Sequence, residues 1–190
     1  MKWKVVVSLL TFLSLFGVAA HAQDNPKVDI FAGYSYFREN PSTSGVSSFS
    51  LNGGSVSAAY NVNSWLSGVA DLGGYHNGNI LGTNVSGTLS TYLFGPRVSY
   101  RHLGRLTPFG EVLFGVAHAN GSLSGSTTTL TTSDNAFAMT FGAGVDYRIS
   151  HHFALRPIKV DYLLTRFPET GLGTQTQNNL RVSTGIVFRF

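Results

Sequence analysis

Hydrophobic and polar residues alternate with a period of two over much of the chain between Val28 and Phe190. Because successive side chains of a β-strand point to opposite faces of the sheet, this alternation predicts strands that are apolar on one face only. The segment 180–190 shows the pattern most clearly. Its apolar face holds Leu180, Val182, Thr184, Ile186, Phe188 and Phe190. Its other face holds Arg181, Ser183, Gly185, Val187 and Arg189.

Seven further segments complete the predicted sheet. The alternation is clear in 29–36, 55–62, 92–101 and 137–148, and weaker in 65–76, 107–118 and 153–166. Short connections are expected near 61–65, 102–106 and 149–152. Long connections rich in Ser, Thr, Gly and Asn are expected near 38–50, 77–87, 119–135 and 167–178. This alternation of short and long connections predicts an all-β fold, an antiparallel up-and-down barrel of eight strands that spans an outer membrane.

One predicted strand breaks its own alternation. Arg156 and Lys159 are three positions apart, so a regular strand would place their side chains on opposite faces. Pro157 has no backbone N–H to donate to a neighbouring strand, and proline inside a sheet is often found at a bulge. We therefore predict a β-bulge at Pro157–Ile158, which turns Arg156, Lys159 and Asp161 to the same face.

The first 22 residues have the features of a secretory signal peptide. Lys2 and Lys4 give a positive start, Val5 to Ala19 is mostly apolar, and Ala20 and Ala22 form an A-x-A cleavage site. We predict that residues 1–22 are removed and that residues 23–190 form one barrel domain. An uncleaved N-terminal anchor is the alternative. No later stretch reaches the roughly 18 consecutive apolar residues of a membrane-spanning helix.

Alternation alone does not decide which face of the barrel is inside. A soluble lipocalin-like barrel would bury its apolar face, whereas a membrane barrel turns that face to lipid. Only 12% of the residues are charged, too few to cover a soluble exterior. The polar face is rich in Gly and Ser, which suit the crowded interior of a small barrel. Aromatic residues expected near strand ends favour interfacial girdles in a membrane: Tyr36, Tyr60, Trp65, Tyr75, Tyr100, Tyr147 and Tyr162.

Charges on the inner face should pair with one another, because an unpaired buried charge is costly. A turn centred on Gly104 places Arg97 opposite Glu111, and a turn centred on His151 places Asp146 opposite Arg156. Both combinations bring opposite charges together. We therefore predict two ion pairs in the lumen, Arg97–Glu111 and Asp146–Arg156. Further lumenal charges are expected nearby at Asp71, Arg148, Lys159, Asp161 and Arg181.

Three parts of the chain give it a resemblance to a known family: the strand 28–37, the segment 94–100, and the last strand ending in Phe190. Together with the signal peptide they resemble the small eight-stranded outer-membrane barrels of the OmpA/OmpX type. The resemblance implies that Ile186, Phe188 and Phe190 form the signal recognised by the outer-membrane assembly machinery. Since the chain ends at its last strand, with no peptidoglycan-binding domain, the OmpX-like form is the closer match.

We expect a non-enzymatic protein of the bacterial outer membrane, without a cofactor or a metal, whose role is structural or lies in interactions of its surface loops. Its long loops would lie outside the cell and both termini of the mature chain in the periplasm. We expect contacts with outer-membrane lipid, transient contacts with the assembly machinery, and a monomeric state. Basic residues do not cluster, so nucleic acid is not an expected partner. The absence of Cys excludes disulfides.

Three other functions remain as alternatives. The first is a narrow pore through the lumen, and the second is adhesion through the loops. The third is a lipid A-modifying enzyme, for which His76 and His118 lie at the expected outer strand ends, although no Ser and carboxylate accompany them in a recognisable motif. His151 and His152 do not suggest a metal site, since adjacent residues of a strand point in opposite directions.

Overall fold

The computed structural model describes residues 26–39, 48–78, 85–124, 129–169 and 173–190. Eight strands account for nearly all of them: β1 (Val28–Glu39), β2 (Phe49–Asn61), β3 (Leu66–Asn77), β4 (Val85–Ser99), β5 (Leu106–Ser124), β6 (Thr129–Arg148), β7 (Phe153–Glu169) and β8 (Gly173–Arg189). Within these ranges, no helix is long and apolar enough to cross a membrane. The predicted signal peptide, with Ala20 and Ala22, lies outside the described residues.

Each strand pairs antiparallel with the next, and β1 pairs with β8, so the sheet closes on itself. The closing register places Ile30 opposite Phe188 and Tyr34 opposite Thr184. Closure gives each strand of the barrel wall a partner on both sides, which is the condition for a sheet to exist in lipid. The predicted fold class, a closed all-β barrel of eight antiparallel strands, is confirmed.

The predicted bulge in β7 is also confirmed. The register between β7 and β8 shifts between Arg156 and Lys159, and that between β6 and β7 shifts at the same place. Pro157 and Ile158 both lie on the outer face, while Arg156 and Lys159 are both buried inside. The hydroxyl of Thr184 donates a hydrogen bond to the backbone oxygen of Arg156 at 3.1 Å. This bond gives a partner to a carbonyl beside the bulge, where the regular backbone pairing is interrupted.

The two ends of the barrel differ in their connections. Residues 26–28, the turns 62–65, 100–105 and 149–152, and Phe190 lie together at one end, which we call the termini end. The opposite end, called the loop end, holds the remaining connections. Gly104 adopts a φ of 64° in the turn between β4 and β5, a left-handed conformation that glycine accepts without steric cost.

Two connections at the loop end are shorter than the sequence led us to expect. Strand β5 continues to Ser124 and β6 begins at Thr129, so most of the expected loop 119–135 is strand. The expected loop 167–178 is likewise reduced, because β7 ends at Glu169 and β8 begins at Gly173. Ser and Thr occur there at both odd and even positions of the sequence, which hides the alternation, although Thr itself favours strands. The expected loops near 38–50 and 77–87 agree with the strand bounds.

The apolar face of the wall points outward. Large apolar side chains on this face are exposed on every strand, among them Tyr34, Val56, Leu72, Phe94, Val116, Phe141, Tyr162 and Ile186. Charged side chains such as Arg156, Arg181 and Asp161 are buried inside. This distribution is the reverse of a soluble barrel and matches a wall in contact with lipid.

The interior is filled at both ends, but with different chemistry. The half towards the loop end holds an apolar plug of Phe37, Leu51, Tyr75, Leu89 and Leu163. The rings of Phe37 and Tyr75 pack with their centroids 5.1 Å apart. The half towards the termini end is dominated by charged residues. The expectation of a lumen filled with polar side chains does not account for the apolar half.

Two side chains lie elsewhere than predicted. Tyr75, expected in an outer girdle, is inside the barrel and only 1% exposed, because its position in β3 shares the inward parity of Asp71. Arg148, expected in the lumen, is exposed at the termini end, because the last residue of β6 extends beyond the barrel interior. The other expected girdle residues, Tyr36, Tyr60, Trp65, Tyr100, Tyr147 and Tyr162, are on the outer face and partly or largely exposed.

Replacement of Ile186 by Arg tests whether the apolar face of the wall contacts lipid. Ile186 is exposed on the outer face of β8, so the Ile186→Arg variant would place a charge in the lipid-facing wall. We expect a loss of about 2–4 kcal/mol in the free energy of unfolding, measured by denaturant titration in lipid bilayers. Ile149, exposed in a turn at the termini end, supplies the control, because Ile149→Arg should cost only about 0–1 kcal/mol there. Equal costs for the two variants would contradict the assigned facing.

Candidate functional site: the charged barrel interior

Arg97 on β4 lies directly opposite Glu111 on β5. The Nε and Nη2 atoms of Arg97 each lie 2.7 Å from Oε2 of Glu111, and both side chains are buried. The structure therefore brings together the first predicted pair. The register that does so follows from the turn at Gly104, whose centre fixes which residues of the two strands face each other.

Arg156 and Asp146 form the second predicted pair. The Nε and Nη2 atoms of Arg156 donate to the two carboxylate oxygens of Asp146 at 2.7 and 3.1 Å. This two-point geometry is the strongest form of a guanidinium–carboxylate contact. The guanidinium also lies between two rings, 4.5 Å from the centroid of Phe31 and 4.5 Å from that of Phe109. Cation–π contacts of this kind are strongest where water is excluded.

Glycines make room for these rings. A Cβ atom at Gly144 would lie 2.7 Å from Cζ of Phe109, and one at Gly185 would lie 2.9 Å from Cε2 of Phe31. Both distances are shorter than van der Waals contact, so a larger residue at either position would displace the ring. The Gly-rich inner face therefore accommodates the aromatic rings that sandwich Arg156.

A third group of charges lies between these pairs and the apolar plug. Arg181 on β8 contacts Asp161 on the neighbouring β7 and Asp71 on the distant β3, each at 2.7 Å. Lys159 lies 3.3 Å from Asp71 and 3.5 Å from Asp161. It also contacts Glu111, which links this group to Arg97. The bulge at Pro157–Ile158 is what directs Lys159 and Asp161 into the lumen.

A hydrogen bond joins the apolar plug to this group of charges. The Nη1 atom of Arg181 donates to the hydroxyl of Tyr75 at 3.0 Å. Tyr75 thus has its ring in the plug, against Phe37, and its hydroxyl in the charged half. A tyrosine with its apolar body and its polar tip in different surroundings satisfies both.

A fourth group closes the termini end. Arg101 lies 3.2 Å from Asp29 and donates to Asn61 at 2.9 Å. Arg189 lies 3.4 Å from Asp146 and 3.8 Å from Asp29. Asp29, Arg101 and Arg189 are not among the lumenal charges predicted from the sequence. The signal was present, since the alternation placed all three on the polar face of their strands.

The buried charges nearly balance. Among the described residues the network contains six cationic side chains, Arg97, Arg101, Arg156, Lys159, Arg181 and Arg189. It contains five carboxylates, Asp29, Asp71, Glu111, Asp146 and Asp161. The remaining excess is one positive charge, at the termini end. All predicted lumenal charges except Arg148 belong to this network.

The histidines considered for catalysis are in other surroundings. The Nδ1 atom of His76 lies 3.0 Å from the hydroxyl of Thr88, and that of His118 lies 2.7 Å from Oδ1 of Asn135. Both pairs are exposed. In the described part of the chain, no three or more His, Cys, Asp or Glu side chains are arranged to hold a metal ion.

The residues of the implied assembly signal share the outer face of β8. Ile186 and Phe190 are exposed, and Phe188 packs edge-to-face against Phe153 with centroids 5.3 Å apart. The backbone oxygen of Phe190 accepts hydrogen bonds from the amides of Lys27 and Val28. The last residue of the chain is therefore part of the seam between β8 and β1.

The fold and its inverted faces define a class, the small β-barrels that span a membrane with eight strands. The sequence model of one family, described as outer membrane protein beta-barrel domain, matches residues 8–190. The chain belongs to this family, which places it in the bacterial outer membrane. No curated protein matches the chain in sequence.

Several solved structures share the fold. Ail, the attachment invasion locus protein of Yersinia pestis, is 15% identical with a TM-score of 0.64, over 87% of this chain and 99% of Ail. Neisserial surface protein A is 13% identical with a TM-score of 0.63, over 86% and 97% of the two chains. OprG from Pseudomonas aeruginosa is 11% identical with a TM-score of 0.55, over 90% and 99%. At these identities the likeness concerns the fold.

Replacement of Glu111 by Gln tests the buried network. Glu111→Gln keeps the shape of the side chain but leaves Arg97 with no carboxylate and removes one from Lys159. We expect a loss of about 3–5 kcal/mol in the free energy of unfolding in bilayers, since an uncompensated buried charge remains.

Two further variants control this result. Adding Arg97→Met to Glu111→Gln removes the uncompensated charge, so the double variant should be more stable than the sum of the two single changes predicts. Arg105→Met, in an exposed turn, should change stability by no more than about 0.5 kcal/mol. Strict additivity of the first two changes would contradict a direct interaction between Arg97 and Glu111.

Proposed function

We propose that the protein is a non-enzymatic, integral outer-membrane protein that acts through its loop end at the cell surface. The observation that carries this proposal is the filled interior. The apolar plug and the charged network occupy the lumen from the loop end to the termini end. A barrel whose lumen is obstructed by side chains interacts with partners through its ends and outer surface rather than through a channel.

The filled interior also distinguishes this proposal from a pore. An eight-stranded barrel is just wide enough for side chains to fill. Here Leu51, Leu163 and the Phe37 ring lie across one half, and Arg156 between Phe31 and Phe109 lies across the other. A continuous water path would have to cross both obstructions. The surroundings of His76 and His118, each paired with a neutral side chain, likewise give no support to the lipid A-modifying alternative.

The strands that extend furthest supply the surface for interactions. Pairing between β1 and β8 reaches Arg38 opposite Leu180, and that between β6 and β7 reaches Phe137 opposite Arg166. Pairing between β5 and β6 continues to Ser124 opposite Thr129. The β5–β6 hairpin therefore projects beyond its contact with β7. By its name, the structurally similar Ail is an attachment protein, which supports a surface role here by analogy of fold only.

The proposed orientation of the barrel in the membrane follows from the difference in connection length between its two ends. In outer-membrane barrels the short turns face the periplasm and the longer connections face outside. We assign the termini end to the periplasm and the loop end to the exterior, with a monomeric barrel surrounded by outer-membrane lipid. Ile186, Phe188 and Phe190 then serve as the signal for the assembly machinery, from the periplasmic end of β8.

Epitope tags at the two ends test the proposed orientation and surface display. One tag is inserted within 125–128, between β5 and β6, and a matched tag at His151–His152, between β6 and β7. On intact cells, antibody should label only the first tag, and after permeabilisation of the outer membrane it should label both. As a check of folding, both tagged variants must migrate in a gel, without boiling, like the folded protein that carries no tag. Labelling of the His151–His152 tag on intact cells, or none within 125–128, would overturn the proposal.

A further inference from the structure

A small cavity at the termini end is lined mainly by cationic side chains. It has a volume of about 70 Å³ and a mostly polar lining. Arg101 follows β4, Arg148 ends β6, and Arg189 ends β8, so three separate strands direct a guanidinium to this place. His151, in the turn between β6 and β7, completes the cationic side of the lining.

Two of these guanidinium groups have unused donors. The Nε atoms of Arg101 and Arg189 are buried and have no hydrogen-bond acceptor among the described residues. The Nε atom of Arg189 lies 3.8 Å from Oδ1 of Asp29, which is too long for a hydrogen bond, and that oxygen also has no hydrogen-bond partner among the described residues. Only 5% of the Arg189 side chain is exposed. A buried charged donor without an acceptor costs free energy, so an anion that entered the cavity would be stabilised by supplying one.

The charges around the cavity leave room for an anion. Among the described residues, Arg101, Arg148, Arg156 and Arg189 lie near two acidic side chains, Asp29 and Asp146. The terminal carboxylate of Phe190 at the same end adds a third negative charge, so four positive charges against three leave an excess of one. The backbone oxygen of Phe190 is engaged by the amides of Lys27 and Val28. An incoming anion would therefore be attracted to the cavity despite the two acidic side chains that lie beside it.

Arg148 has a fixed position at the mouth of the cavity. Its Nη2 atom donates to the backbone oxygen of Gly104 at 3.0 Å. Gly104 holds the positive φ of the turn between β4 and β5, so the turn presents that oxygen to the end of β6. The Arg148 side chain is exposed, so its guanidinium can meet a ligand at the rim.

We infer that this cavity, which we call the arginine cavity, binds a phosphate group. Guanidinium groups match the several oxygen acceptors of phosphate in both charge and planar geometry. The cavity has space for one such group. Two sources share this chemistry, namely inorganic phosphate and the headgroup of a phospholipid at the adjacent membrane surface. The inference is independent of which function the loop end performs.

Titration with inorganic phosphate tests the arginine cavity. The protein is purified in a maltoside detergent, which contains no phosphate, and the arginine Nε–Hε signals are followed by NMR. We expect saturable shifts for Arg101 and Arg189, with none produced by chloride at the same ionic strength. Arg148→Met should weaken the apparent affinity about tenfold or more, since a charge-assisted contact is lost.

The matched control is Arg105→Met. Arg105 is an exposed residue of the same turn as Gly104 but does not line the cavity, so its replacement should change the affinity less than about twofold. Arg148 is also exposed, and both variants should keep the gel mobility of the folded protein. No saturable shift, or equal weakening by the two replacements, would overturn the inference.

Nanodiscs distinguish the two sources. In nanodiscs of phosphatidylglycerol without added phosphate, shifts of the Arg101 and Arg189 signals would identify the lipid headgroup as the ligand. Shifts that appear there only after inorganic phosphate is added would identify the free anion. Either result supports a phosphate site at this position, whereas no shift in nanodiscs and none in detergent would contradict it.

Discussion

The structure depends on one constraint, the pairing of opposite charges that the barrel encloses. Charged side chains on the inner face of a narrow barrel have little access to water and must find partners within it. They do so between neighbouring strands, as in Arg97–Glu111, and also across the lumen. Arg181 on β8 reaches Asp71 on β3, and Lys159 on β7 reaches the same carboxylate. These cross-lumen contacts join strands that share no backbone hydrogen bonds.

The constraint explains local features that would otherwise be unfavourable. A proline inside β7 disrupts two ladders, but the resulting bulge directs Arg156 and Lys159 to the same side. Glycines weaken strands, yet Gly144 and Gly185 leave the space that the rings of Phe109 and Phe31 occupy. Those rings lie on either side of Arg156, so backbone irregularity and small residues both serve the same buried charge.

Much of this arrangement could be predicted from the sequence, because a strand has a strict period of two and a tight turn fixes the register beside it. These two rules were enough to match Arg97 with Glu111 and Asp146 with Arg156. They say nothing about pairs across the lumen, such as Arg181 and Asp71, which depend on the curvature of the closed barrel. They also fail where the pattern is hidden. The prediction for Tyr75 rests on its residue type and places it wrongly on the outer face. The hydroxyl-rich extensions of β5 and β6 have the composition of a loop, although they are strands.

The two halves of the interior differ in chemistry, and the two ends of the barrel differ accordingly. The apolar plug separates the loop end from the charges, and the network brings its excess positive charge to the termini end. The barrel wall keeps the loop end and the termini end apart as two separate surfaces. The proposed surface role of the loop end and the phosphate site of the arginine cavity both follow from this separation.

Ion conductance of the purified protein in planar lipid bilayers tests the central claim most directly. If the paired charges and the apolar plug fill the lumen, insertion of the folded barrel should produce no steady current above the bilayer leak, while a porin added to the same membrane conducts. Stable, single-channel steps from the folded protein would contradict the account, because they would require an open water path through both halves of the interior.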